Sequence, residues 1–148
     1  MSLISNATGA YGLTGVENSA RIVDPFLTTG AVSEGDVLVF DVLTADGVVT
    51  VHSADVSADN SALIAGVATE DAASGEVVLA VTYGPAIVNI DDATVAAGDL
   101  MTFHATADGA ADGTAGTAAL LNGDYFATAL SANDVGGTNK AIVYVGKT

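Results

Sequence analysis

From residue 37 onward the apolar positions fall in short runs broken at regular intervals by turn residues. The runs cover residues 37–43, 48–52, 63–68, 77–82, 86–90, 100–104, 125–130 and 142–145, each rich in β-branched or aromatic residues and bounded by Gly, Asp, Asn or Pro. Asp46-Gly47 separates the first two and predicts a two-residue hairpin turn. Eight such strands in about 110 residues predict an all-β protein, a compact sandwich or barrel. A single helical turn, capped by Asp59, is expected around residues 59–63.

Before residue 31 the pattern is different. Leu3, Ile4, Tyr11, Leu13, Val16, Ile22, Val23, Phe26 and Leu27 are scattered among Gly, Ser, Thr and Asn with no sustained period. Residues 1–30 therefore read as an extended N-terminal arm, and residues 31–148 as the β-rich domain. An arm without its own core must lie along the body or along another subunit. For residues 1–15 a frayed terminus is the equal alternative. Arg21, the only Arg, is expected to pair with a local Asp.

The domain carries an internal echo. Residues 32–40, Val-Ser-Glu-Gly-Asp-Val-Leu-Val-Phe, resemble residues 95–103, Val-Ala-Ala-Gly-Asp-Leu-Met-Thr-Phe, and residues 66–84 correspond loosely to 127–146. Two related β-units, 31–90 and 91–148, would produce this. In each, the Gly permits a positive φ and the Asp can cap backbone N–H groups at the strand entry. The stretch 105–119 is nearly all small residues and reads as a loop.

Composition sharpens the β reading. Of 18 acids 14 are Asp, and there is no Gln, so the polar residues are those of turns rather than of helix surfaces. With half the residues apolar, 148 residues suffice for one core. There is no Cys, which removes disulfides, thiol chemistry and Cys-based zinc sites. No apolar stretch reaches the length of a membrane helix, and the N-terminus shows no secretion signal. Asn6-Ala7-Thr8 fits a glycosylation acceptor by chance composition.

Charge narrows the partners. Three cations against 18 anions give a net charge of −15, which repels nucleic acid and anionic lipid.

Reactive side chains are scarce. His52-Ser53-Ala54-Asp55 contains the residues of a catalytic triad, but neighbours on a strand point to opposite faces, so His52 reads as a strand-end polar residue, as does His104. The acid pairs Asp91-Asp92, Asp55 with Asp59, and Asp108 with Asp112 lack the spacing of a calcium loop and read as solvated turn carboxylates. No glycine loop suited to phosphate opens a helix. No catalytic, metal or cofactor site is assigned.

The segment Ala65-Gly66-Val67-Ala68-Thr69-Glu70-Asp71-Ala72-Ala73-Ser74-Gly75-Glu76 with the run to Val81, then Tyr83-Gly84, Ala96-Ala97-Gly98-Asp99-Leu100 and the closing Ala141-Ile142-Val143-Tyr144-Val145, resembles the capsid decoration or head cement proteins of tailed bacteriophages. The resemblance spans roughly residues 31–146; the arm and the strong acidity depart from it. It implies a non-enzymatic β-protein on the outer surface of the phage head, commonly a homotrimer, whose partner is the major capsid protein lattice. Capsid or subunit contacts are expected from the arm's Ile4, Tyr11, Leu13, Ile22 and Phe26. The alternatives are another structural β-module, of a tail, fibre or surface layer, and a calcium-dependent carbohydrate-binding module or hydrolase.

Overall fold

A computed structural model describes residues 21–41, 47–54, 63–90, 95–103, 111–114, 125–132 and 139–146. Nine strands run through them: β1 (Ile22–Thr28), β2 (Val37–Phe40), β3 (Thr50–Ser53), β4 (Ile64–Ala68), β5 (Val77–Asn89), β6 (Leu100–Phe103), β7 (Ala111–Thr114), β8 (Ala127–Ala129) and β9 (Lys140–Val145). Their order is β1-β3-β2-β4-β5-β9-β8-β6-β7, and β1 also pairs with β5. The first five therefore close into a barrel. The last four continue from the far half of β5 as a second sheet. The chain is all-β in this region, as the runs predict.

Strand β5 joins the two halves. Its first part pairs with β1 and β4, and from Gly84 onward it pairs with β9, through Gly84↔Val145 to Asn89↔Lys140. The sequence predicts a break at Gly84-Pro85, yet the ladder continues. Gly84 has φ 102°, a backbone region closed to most side chains, so the strand turns there without leaving the sheet.

Strand β1 lies inside the stretch that the sequence marks as an arm. It contains Asp24 and Pro25, which obscure a strand pattern. Pro25 is tolerated because β3 pairs only with Leu27 and Thr28, leaving the outer edge at Pro25 without a ladder partner. Its C-terminal end is stitched down by Thr28, which is buried. The Thr28 amide and hydroxyl both donate to the Glu76 carbonyl, at 2.9 and 3.0 Å, and the hydroxyl also reaches the Ala73 carbonyl at 2.7 Å.

The expected hairpin of β2 and β3 forms, with Phe40 opposite Val51 and the Asp41 amide donating to the Thr50 carbonyl at 2.9 Å. Its expected turn at Asp46-Gly47 lies partly outside the described residues. Asp41 turns its carboxylate to Thr29 and His52, as described below. The small-residue loop predicted over 105–119 contains β7, an Ala-Asp-Gly-Thr segment paired antiparallel with β6. The helical turn expected at 59–63 lies almost wholly outside the described residues.

Several hydrogen bonds recur between the two segments of the echo. Ser33 N–H donates to Asp36 Oδ2 at 3.0 Å, and Ala96 N–H to Asp99 Oδ2 at 2.8 Å. The amides of Gly35 and Gly98 donate to the carbonyls of Ala68 and Ala129; those of Ala68 and Ala129 donate back to the carbonyls of Asp36 and Asp99. Thr69 N–H to Leu79 O is repeated as Leu130 N–H to Ile142 O, and Thr28 N–H to Glu76 O as Ile90 N–H to Asn139 O. Gly35 and Gly98 share positive φ, 90° and 97°. In this correspondence β2, β3, β4 and the first part of β5 become β6, β7, β8 and β9. The role of β1 passes to the second part of β5, so the units share one strand.

The core follows the same logic. One cluster fills the barrel with Leu38, Val51, Val78 and Ala80, against which Phe26 and Phe40 pack edge to face with ring centres 5.5 Å apart. The other lies between the units: Val37, Val39, Val67 and Val81 of the first meet Ala86, Val88, Met101, Ala129, Ala141 and Val143 of the second. The second-unit counterparts of those four valines are Leu100, Thr102, Thr128 and Tyr144, which are only half-buried. A face covered within the chain is aliphatic, and the same face uncovered has turned partly polar.

Candidate docking surface

Along β5 the side chains alternate as a pleated strand requires. Val78, Ala80, Ala86 and Val88 point inward and are buried; Val77, Leu79, Tyr83 and Ile87 point outward and are 59, 41, 46 and 47% exposed. On β1, Val23, Pro25 and Leu27 are exposed. The ladder sets Leu27 opposite Val77 and Pro25 opposite Leu79, so these side chains form one apolar stripe on the outside of the barrel. No charged residue occurs from Val77 to Asn89, in a chain of net charge −15. Exposed acids border the stripe at one end, with Glu76 next to Val77 and Glu70 Oε1 accepting from the Leu79 amide at 3.2 Å. The result is a contiguous uncharged patch with an acidic margin on an acidic protein, which makes it the candidate docking surface.

Where the strand turns, a cleft of about 300 Å³ opens between the units. Its lining is mainly aliphatic, with Val81, Pro85, Ala86, Ile87 and Ile142, and Arg21 and Glu34 add charge. Asn89 clasps the units together. Its side-chain amide donates to the Glu34 carbonyl and to Asp36 Oδ1, both at 3.0 Å, and its backbone amide donates to the Gly35 carbonyl at 2.8 Å. A Cβ at Gly35 would stand 2.8 Å from Asn89 Oδ1, so Gly is required there for close approach as well as for φ.

Of the contact residues expected from sequence, Ile4, Tyr11 and Leu13 lie outside the described residues. Ile22 is exposed at the end of β1, opposite Tyr83, which stacks edge-on to Tyr144. Phe26 is partly buried and packs against the barrel core with Phe40. The stripe has no signature in the sequence, where Val77 and Leu79 belong to one apolar run; which face of a strand is covered depends on partners distant in sequence.

The residues of the triad-like tetrapeptide are drawn apart. His52 Nδ1 lies 2.6 Å from Asp41 Oδ1, while Ser53 Oγ donates to Asp36 Oδ2 at 3.0 Å. Burial raises the Asp41 pKa, but hydrogen bonds from Thr50, Thr29 and His52, with the charge of His52, outweigh it and hold the carboxyl below its ordinary value. The Thr29 hydroxyl donates to Asp41 Oδ2 at 2.9 Å. The pair fastens the end of β2 to β3. Asp55 and the acid pairs at 91–92, 55–59 and 108–112 have no described side chains, nor does His104. Among the described residues, no group of three or more His, Cys, Asp or Glu could hold a metal ion.

No protein-family model and no curated protein sequence matches the chain. Solved structures share its fold, two of them from phage heads. One is the N base of the head fibre protein gp8.5 of bacteriophage phi29, with TM-score 0.57, 16% identity, and 85% of this chain and 94% of that one covered. The other is a chain of the capsid of Myoviridae phage XM1, with TM-score 0.57, 18% identity, and 86% and 84% covered.

Proposed function

We propose that this chain is a structural component of a tailed-phage head, a decoration protein that docks on the outer surface of the major capsid protein lattice and reinforces it. The observation that carries this reading is the shared fold: two proteins of phage heads match over 85 and 86% of the chain. The decoration-protein resemblance in the sequence leads to the same place independently. The surface fits the task. Burying the β1–β5 stripe gains about 25 cal/mol per Å² of apolar area. The net charge of −15 suits the outside of a shell better than its DNA-filled interior. A homotrimer, each copy offering one stripe, would bind far more tightly than a single copy through effective concentration. The role asks for no catalysis, cofactor, nucleic acid or membrane.

One finding favours a second reading, the base of a head fibre, since the first structural match is itself such a base. Both readings are tested by co-sedimentation with undecorated heads of the phage that encodes the chain. The native protein is expected to bind, and Leu79→Asp, which sets a charge in the middle of the stripe, to bind at least tenfold more weakly, about 1.4 kcal/mol. Failure of the native protein to bind rejects the proposal. Equal binding of the variant rejects the stripe as the contact.

A further inference from the structure

Strand β1 is held unequally on its two sides. Toward β5 it has six register pairs, from Ile22↔Tyr83 to Leu27↔Val77; toward β3 it has two, Leu27↔Thr50 and Thr28↔Val51. The β1–β3 seam, which closes the barrel, is therefore the weaker side. Two neighbouring amides report on the two sides separately. Thr28 N–H donates to the Glu76 carbonyl at 2.9 Å, at the start of β5, and Thr29 N–H donates across the seam to the Val51 carbonyl at 3.0 Å.

Side chains reinforce the seam. Asp41, just past β2, accepts from the Thr29 hydroxyl at Oδ2, 2.9 Å away, while His52 Nδ1 of β3 lies 2.6 Å from Oδ1. One carboxylate thus ties the tail of β1 to the β2–β3 hairpin, and it uses both oxygens as acceptors. Protonation turns one of them into a donor hydroxyl, so Thr29 and His52 can no longer both be served. A neutral imidazole, by contrast, still donates from Nδ1 in one tautomer. Acid is therefore the direction that weakens the tie. The other described carboxylates on the neighbouring elements are engaged elsewhere. Asp24 accepts from the Thr82 hydroxyl, Asp36 from Ser53 and Asn89, Glu70 from the Leu79 amide, Asp71 from the Glu34 amide and Glu76 from the Ala73 amide, and Glu34 lines the cleft.

We propose that Asp41 is an acid-sensitive latch on the barrel seam: when its carboxylate is protonated, β3 parts from the end of β1 while β1 stays on β5. The β1–β5 stripe is kept, and the β2–β3 hairpin loosens from it. This inference does not depend on the capsid reading, because it concerns the isolated protein.

Amide hydrogen exchange of the full chain, followed by NMR and corrected for the intrinsic pH dependence, tests it. Between pH 6 and pH 3 the protection of the Thr29 amide is expected to fall at least about tenfold relative to that of Thr28. In Asp41→Asn the ratio should already be low at pH 6 and fall no further, whereas Asp24→Asn, which alters a carboxylate on the other side of β1, should behave as the native protein. Equal loss of protection at Thr28 and Thr29, or no loss at Thr29, overturns the proposal. A second reading needs no variant: the carboxyl carbon of Asp41, followed in the native protein, should titrate at the pH where Thr29 loses protection, and a fall at a different pH overturns the latch.

Discussion

Gly35 and Gly98 occupy the same position in the two units and share positive φ, but only Gly35 is enclosed, and this gives a controlled measure of how the units are joined. A Cβ at Gly98 meets nothing within 4 Å; one at Gly35 meets Asn89 Oδ1 at 2.8 Å and Asn89 N at 3.2 Å. Gly98→Ala should therefore cost only the left-handed backbone penalty, about 1–2 kcal/mol. Gly35→Ala incurs the same penalty and must also displace Asn89. That disturbs two side-chain hydrogen bonds and one backbone bond at about 1 kcal/mol each, of which roughly two should be lost, for a total of about 3–4 kcal/mol. Urea unfolding followed by circular dichroism measures both. In an Asn89→Ala background the extra cost of Gly35→Ala should largely disappear, because the atom that it strikes is gone. Equal destabilisation by Gly35→Ala and Gly98→Ala would refute the clasp.

Three further outcomes follow from particular contacts. Thr28→Val keeps the shape but leaves the carbonyls of Ala73 and Glu76 without the hydroxyl, and should cost about 1–3 kcal/mol in the same unfolding assay. Gly66→Ala would place a Cβ 2.4 Å from the Val81 carbonyl oxygen, a backbone atom that cannot step aside, so a loss of about 4 kcal/mol or more is expected, seen as low soluble yield and an early melt. Asp41 has a lowered pKa in the folded state, so its contribution is present above the unfolded carboxyl value and is lost as pH falls through the folded value. Asp41→Asn should thus narrow the difference in melting temperature between pH 6 and pH 3 relative to the native protein, and an unchanged difference would count against the pairing.

Much of the fold was legible in the sequence where local chemistry decides it. The Gly-Asp turns at 35–36 and 98–99 announced themselves because Gly takes positive φ readily and the Asp carboxylate reaches back to the amide three residues earlier. They also exposed the internal echo. What could not be read were features settled by distant backbone. β1 carries Pro25, harmless only because β3 stops short of it. β5 crosses Gly84-Pro85 because β9 receives it on the far side. β7 offers Thr114 as its one β-former and is paired with β6. The docking stripe was hidden for the same reason: Leu79 and Val81 are both outward on the barrel, and only the placement of the second unit buries one and leaves the other exposed.

The central claim is that this chain reinforces a phage head from outside, and an electron-microscopy map of the native particle tests it most directly. The result expected is repeated density of this fold over the outer surface of the head, with the β1–β5 stripe turned toward the major capsid protein. Heads bare of such density, or density confined to the tail, would contradict it.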